Sequence, residues 1–149
     1  NYGLSKRSWR RFRDGAAKVR AASRLGDIGF SVALMGRKDI QELNRIYRGK
    51  DFPTDVLSFC YADGAAVGHR KHFGDIAIAV PVAKEQARHL GHHFVEELLV
   101  LLTHGLAHLV GCYHERGKRE LLLQLQIEMS WLDAAGLDPE LALALAARL

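Results

Sequence analysis

Only two cysteines and three prolines occur in these 149 residues, and acid is nearly absent from the start of the chain. No apolar run comes near the ~18–20 residues that a bilayer-spanning helix needs. Each scarcity excludes something. Cys60 and Cys112 build no disulfide framework, and they fit a reducing cytoplasm better than a secreted scaffold. The longest apolar stretch, around Leu98 to Leu102, reads as a buried helix face, so no membrane partner is expected. No signal peptide is visible. Between Lys6 and Arg24 a single acid, Asp14, stands against Lys6, Arg7, Arg10, Arg11, Arg13, Lys18, Arg20 and Arg24. Clustered bases without acids are the footprint expected of a phosphate-backbone contact, and equally of a solvated helix face.

What is present is ordinary for a soluble globular protein: 48% hydrophobic and 26% charged residues. The length suffices for one domain, residues 1–149, with a real core. Ser8 to Leu25 reads as an amphipathic helix, with Ser8 as cap and Gly26 as stop. Gly29 to Met35 reads as a strand, and Lys38 to Tyr47 as a helix with Ile40, Leu43, Ile46 and Tyr47 on one face. Val56 to Tyr61 is a second strand and Gly74 to Val80 a third, with a loop over 62–73 between them. Pro81 suits a first helical turn, so Val82 to Leu90 should be helical and end at Gly91. Phe94 to Val110 is a Leu-rich helix, Lys118 to Ala135 another, and Asp138-Pro139 opens a last one. The fold class is α+β: a mixed sheet of three or four strands packed with helices, the Phe94–Val110 helix central.

That helix carries the chemistry. His104 and His108 are four apart, so they project from one face at the separation one metal ion needs. Gly111 sits where a C-cap glycine would turn the chain and bring His114 back to the same point. Three imidazoles with a fourth position open for water is the layout of a catalytic zinc site, one ion per chain. The alternative is a helix end whose histidines are merely solvated. Zinc peptidases place a glutamate directly after the first histidine as general base, and here that position is Gly105.

His104-Gly-Leu-Ala-His-Leu-Val-Gly-Cys-Tyr-His114 resembles the H-G-x-L-H-L-x-G-Y-D-H signature of the YbeY family of bacterial rRNA-maturation factors. Leu43 to Phe59 is similar to that family's L-N-x-x-Y-R-x-K-D-x-P-T-D-V-L-S-F segment, and Gly74 to Ile78 to its G-D-I-x-I strand. The chain departs from the signature at Ala107, Cys112 and Tyr113. The last of these removes an acid beside the third histidine.

The resemblance implies a zinc-dependent endoribonuclease acting on precursor or defective rRNA, at the 16S 3′ end and in ribosome quality control. Its partners would be the small ribosomal subunit and assembly factors, in the cytoplasm. His104, His108 and His114 would hold the ion. Arg48 matches an arginine tied to catalysis or RNA binding. Its guanidinium suits bidentate phosphate contact, and the structural alternative is a salt bridge to Asp51 or Asp55. Arg10, Arg11, Arg13 and Lys18 would meet RNA.

A metal-bound histidine normally shares its second nitrogen with a carboxylate. Glu97, two turns before His104, and Glu115, beside His114, are the candidates. Asp75 could reach the metal site's edge or serve a turn. His69 and His72 read as solvent-exposed, and His89, His92 and His93 as helix-end histidines. Met129 resembles the methionine beneath the metal in metzincins, although core packing is the better reading. Two other functions share these features: an RNA-binding assembly factor with a structural zinc, and a zinc metallopeptidase, against which Gly105 speaks.

Overall fold

The computed structural model describes residues 3–26, 28–67, 70–111 and 118–147. The elements run α1 (Lys6–Ser23), β1 (Gly29–Met35), α2 (Arg37–Arg48), β2 (Val56–Val67), β3 (Arg70–Ala79), α3 (Val80–Leu90), α4 (Phe94–Val110), α5 (Lys118–Ala134) and α6 (Glu140–Ala146). This is the expected α+β class, with a mixed three-stranded sheet in the order β1-β3-β2. β1 lies parallel to β3, and β2 antiparallel to it.

Side chains alternate across a strand, which sorts the sheet into two faces. Ile76 and Ile78 of β3 join the main core with α4, while Ala77 and Ala79 pack with Ile40 of α2. α4 therefore lies on one face, with α1 and α5 packed against it, and α2 covers the other. α4 is buried nearly all round, as an apolar helix at the centre of a core must be. Leu98, Leu101, Leu102 and Leu109 are each fully buried. No single helix is long and apolar enough to cross a membrane.

Several boundaries differ from the sequence reading. α1 begins two residues earlier, because Ser5 rather than Ser8 caps it: the Ser5 hydroxyl accepts from the Ser8 backbone N–H at 3.1 Å. It ends at Ser23, where Arg24 adopts the left-handed conformation expected of Gly26 (φ 55°). The described part of 62–73 is strand rather than loop. β2 runs on to Val67 and pairs back onto β3 from Arg70, with an irregularity between Cys60 and Ala65. Glycine in this stretch reads as a breaker, but the antiparallel pairing overrides it. Gly111 caps α4 without the left-handed turn (φ −92°). Ile46 and Tyr47 turn outward, 54% and 59% exposed, rather than joining Ile40 in the core. Cys60 is disulfide-bonded, against the expectation drawn from cysteine count.

Candidate metal centre and active-site cleft

The i, i+4 spacing puts His104 and His108 side by side on one face of α4. The Nε2 atoms of His104 and His108 face each other at 2.9 Å, with ring centroids 4.4 Å apart and planes at 80°. Two imidazole nitrogens bound tetrahedrally to one zinc at ~2.0–2.1 Å would lie about 3.3 Å apart, so a few tenths of an ångström of opening admits the ion. His104 is held from behind. Its Nδ1 meets Glu128 Oε1 at 2.6 Å, and Glu128 is only 5% exposed. A buried carboxylate on Nδ1 keeps the proton there and leaves the Nε2 lone pair toward the cleft, the arrangement in which histidine ligates metal. Two imidazole nitrogens are donors of the kind zinc takes. The third expected ligand, His114, lies outside the described residues, as do Cys112, Tyr113 and Glu115. Among the described residues no group of three His, Cys, Asp or Glu converges.

Glu128 is the residue of this candidate site that sequence reasoning missed. Glu97 does not take that role: it is fully buried and pairs with His92 Nε2 at 2.6 Å, at the other end of α4. His93 caps α4, its Nδ1 accepting from the Val95 backbone N–H at 3.1 Å. Met129 packs against the core. The signal for Glu128 is its position on α5. Leu125 is half-buried, Leu132 is buried, and an acid on the stripe between them needs a buried partner. Glu128→Gln should weaken zinc binding about 10–100-fold. Zinc titration against a competing chelator would show it, and an unchanged affinity would reduce Glu128 to a packing residue.

The histidine pair opens into a cleft of about 690 Å3 along β2, an edge strand of the sheet. Arg48, at the C-terminus of α2, lines the same cleft. Its Nη2 donates to the Ser58 carbonyl at 2.7 Å, and its guanidinium sits 5.3 Å from the Phe59 ring centroid. These contacts orient a group with five N–H donors and leave most of them for a ligand. The proposed salt bridges are not made. Asp51 accepts from Gln41 at 3.0 Å, and Asp55 accepts from the Val56 backbone and from Gln86.

Asp75 lies elsewhere. It is on the sheet face turned away from α4, where the Tyr61 hydroxyl donates to it and His72 Nε2 lies 3.0 Å away. Burial raises its carboxyl pKa, but hydrogen bonds from Tyr61 and His72 outweigh that and hold it below the ordinary value; Tyr61 is raised by the same bond. His72 is therefore not a free surface histidine, and its side chain is only 16% exposed. His69 lies outside the described residues. Arg10, Arg11, Arg13 and Lys18 are exposed on α1, and none lines the cleft.

The model of endoribonuclease YbeY matches residues 5–131. The chain belongs to the YbeY family. Endoribonuclease YbeY of Persephonella marina is 34% identical over 116 residues, covering 78% of this chain and 76% of that protein. The protein of the same name from Aquifex aeolicus is 45% identical over 96 residues, 64% of this chain and 63% of its own length. That from Carboxydothermus hydrogenoformans is 42% identical over 108 residues, 72% and 73% respectively. A solution structure from Thermotoga maritima superposes with a TM-score of 0.55 at 27% identity, over 89% of this chain and 87% of that one. The matched range holds the histidine pair, Arg48 and Glu128, so each belongs to the YbeY portion of the chain. α6 lies beyond it. The family assignment makes the chain a nuclease, a hydrolase of RNA.

Proposed function

We propose that this YbeY-family nuclease depends on one zinc ion, cuts single-stranded RNA, and serves rRNA maturation at the 16S 3′ end and ribosome quality control in the cytoplasm. Its partner is then the small ribosomal subunit, with Arg10, Arg11, Arg13 and Lys18 of α1 as a second contact for the RNA backbone. One observation carries the reading: the converging Nε2 atoms of His104 and His108 face the same cleft as Arg48.

His104 and His108, with His114, would hold the ion. When bound, it supplies positive charge that polarises a phosphoryl oxygen and acidifies a bound water. The chain's own groups do the rest. Glu128 keeps the His104 proton on Nδ1. Arg48 grips the phosphate through two parallel N–H donors and offsets the negative charge that grows there in the transition state. The Ser58 carbonyl and the Phe59 ring hold the guanidinium in place beforehand, so little side-chain entropy is lost on binding. Among the described residues the cleft lining contains no Asp or Glu. The nearest described carboxylate, Glu128, is engaged with His104 Nδ1, and either a bound water or the RNA's own 2′-OH would serve as nucleophile.

The test is cleavage of a single-stranded RNA by purified protein before and after chelation. Cleavage should stop on chelation and return with added zinc, while circular dichroism stays unchanged. Cleavage indifferent to the chelator would remove zinc from the mechanism. Collapse of the fold on chelation, without cleavage beforehand, would favour an RNA-binding assembly factor with a structural zinc.

A further inference from the structure

The sheet face turned away from α4 carries a second cavity, about 390 Å3 in volume. Its walls are apolar and aromatic: Met35 and Leu43, then Tyr47, Phe59 and Tyr61. Its polar end is Asp75, hydrogen-bonded by Tyr61 and His72. Ser31 Oγ lies 3.4 Å from the same His72 nitrogen that meets Asp75. Relay from serine through histidine to acid takes two different ring nitrogens. This trio meets at one, so it is not a nucleophilic triad.

The arrangement suits recognition instead. Each carboxylate oxygen has two acceptor positions, and the Asp75 side chain is 40% exposed, so N–H donors entering the cavity find acceptors. Tyr47 stands at the mouth, more than half exposed, its ring edge against Phe59 at 5.3 Å and 72°. An exposed ring braced by a second ring is the surface on which RNA-binding proteins stack bases. Phe59 and Tyr61 line both this cavity and the histidine cleft. The two spaces are neighbours across the free edge of β2.

We propose that this second cavity binds a nucleobase of the RNA whose backbone lies at the histidine pair, Tyr47 stacking on it and Asp75 accepting its N–H groups. The proposal rests on the endoribonuclease reading above. The carboxylate repels phosphate and keeps the backbone on the Arg48 side, while it attracts the donor edge of a base. Guanine fits best, because its adjacent N1–H and N2–H donors match the two oxygens of one carboxylate. Asp75 and Tyr47 then set sequence preference beside the cut.

The experiment compares wild type, Tyr47→Ala, Tyr47→Phe and Asp75→Asn on a random-sequence single-stranded RNA, with the cut ends sequenced. Affinity for a short guanine-containing oligonucleotide is measured in parallel on chelator-treated protein. Wild type should cut with guanine enriched at one fixed position beside the break, and Asp75→Asn should erase that enrichment. Tyr47→Ala should weaken oligonucleotide binding and raise KM about tenfold with kcat within about twofold, and Tyr47→Phe should restore both. Thermal melting identifies any variant that fails to fold, and Tyr47, being exposed, should fold normally. If folded Tyr47→Ala keeps both its affinity and its cut-site pattern, no base binds there. That result would leave the cavity to a protein segment and overturn the proposal. A wild type that neither binds nor cuts RNA would overturn the endoribonuclease reading itself.

Discussion

His108→Ala should yield a folded protein that binds no zinc and cleaves RNA about a thousandfold or more slowly. The size follows from what a metal contributes to a phosphoryl transition state: several kcal/mol, at 1.36 kcal/mol for each factor of ten. The fold should survive because His108 lies at the half-buried mouth of the cleft, outside the apolar core. Melting separates the two effects. Zinc at a hundred times its dissociation constant stabilises a binding-competent protein by about 2.7 kcal/mol. For a chain of this length that raises the midpoint by roughly 5–10 °C. Wild type should show that rise and His108→Ala none, while the two metal-free proteins melt close together. A variant that still binds one zinc per chain and still cuts would move the metal site elsewhere.

Much of this site was legible because its information is local. The i, i+4 pair needs only the helix period, and α4 runs over Phe94–Val110 as composition predicts. Glu128 was not legible, because its meaning depends on α5 folding back against α4 across 24 positions of sequence. Its signal was an acid where the α5 stripe should be apolar. Of the two readings of Asp75, the one at the metal site's edge fails for a different reason. Strand parity alone puts it on the face opposite Ile76 and Ile78, the residues that pack under α4, so it could not have reached the histidines. The 62–73 segment reads as a loop because its glycines and polar residues carry no periodicity, and only pairing with β3 makes it a hairpin. Tyr47 shows the same limit from the other side. An apolar residue at helical spacing is assigned to the core by default, yet this one is exposed beside the sheet.

Replacing Gly105 should destabilise the protein, and it bears on why this helix is not a peptidase helix. In zinc peptidases a glutamate follows the first histidine and serves as the base. Here a Cβ on residue 105 would sit 2.8 Å from Ile76 Cγ2 and 3.1 Å from Ser58 Oγ, because α4 lies directly on the sheet at this point. The Ser58 hydroxyl donates to the Gly105 carbonyl at 3.0 Å and fixes that approach. At an open helix position Gly→Ala would gain about 1 kcal/mol of helix propensity. Overpacking against Ile76, a stiff and fully buried β-branched residue, costs about 1–3 kcal/mol. The Cβ contact at 2.8 Å is close enough that the cost should win, so Gly105→Ala is expected to lose up to about 2 kcal/mol, a fall of up to roughly 4–8 °C. Gly105→Glu adds a carboxylate pressed between helix and sheet and should cost about 4 kcal/mol or more, much of the stability of a typical domain. It should not acquire peptidase activity. A Gly105→Ala variant that melts higher than wild type would show that α4 stands off from the sheet. A folded Gly105→Glu that hydrolyses peptides would restore the metallopeptidase reading.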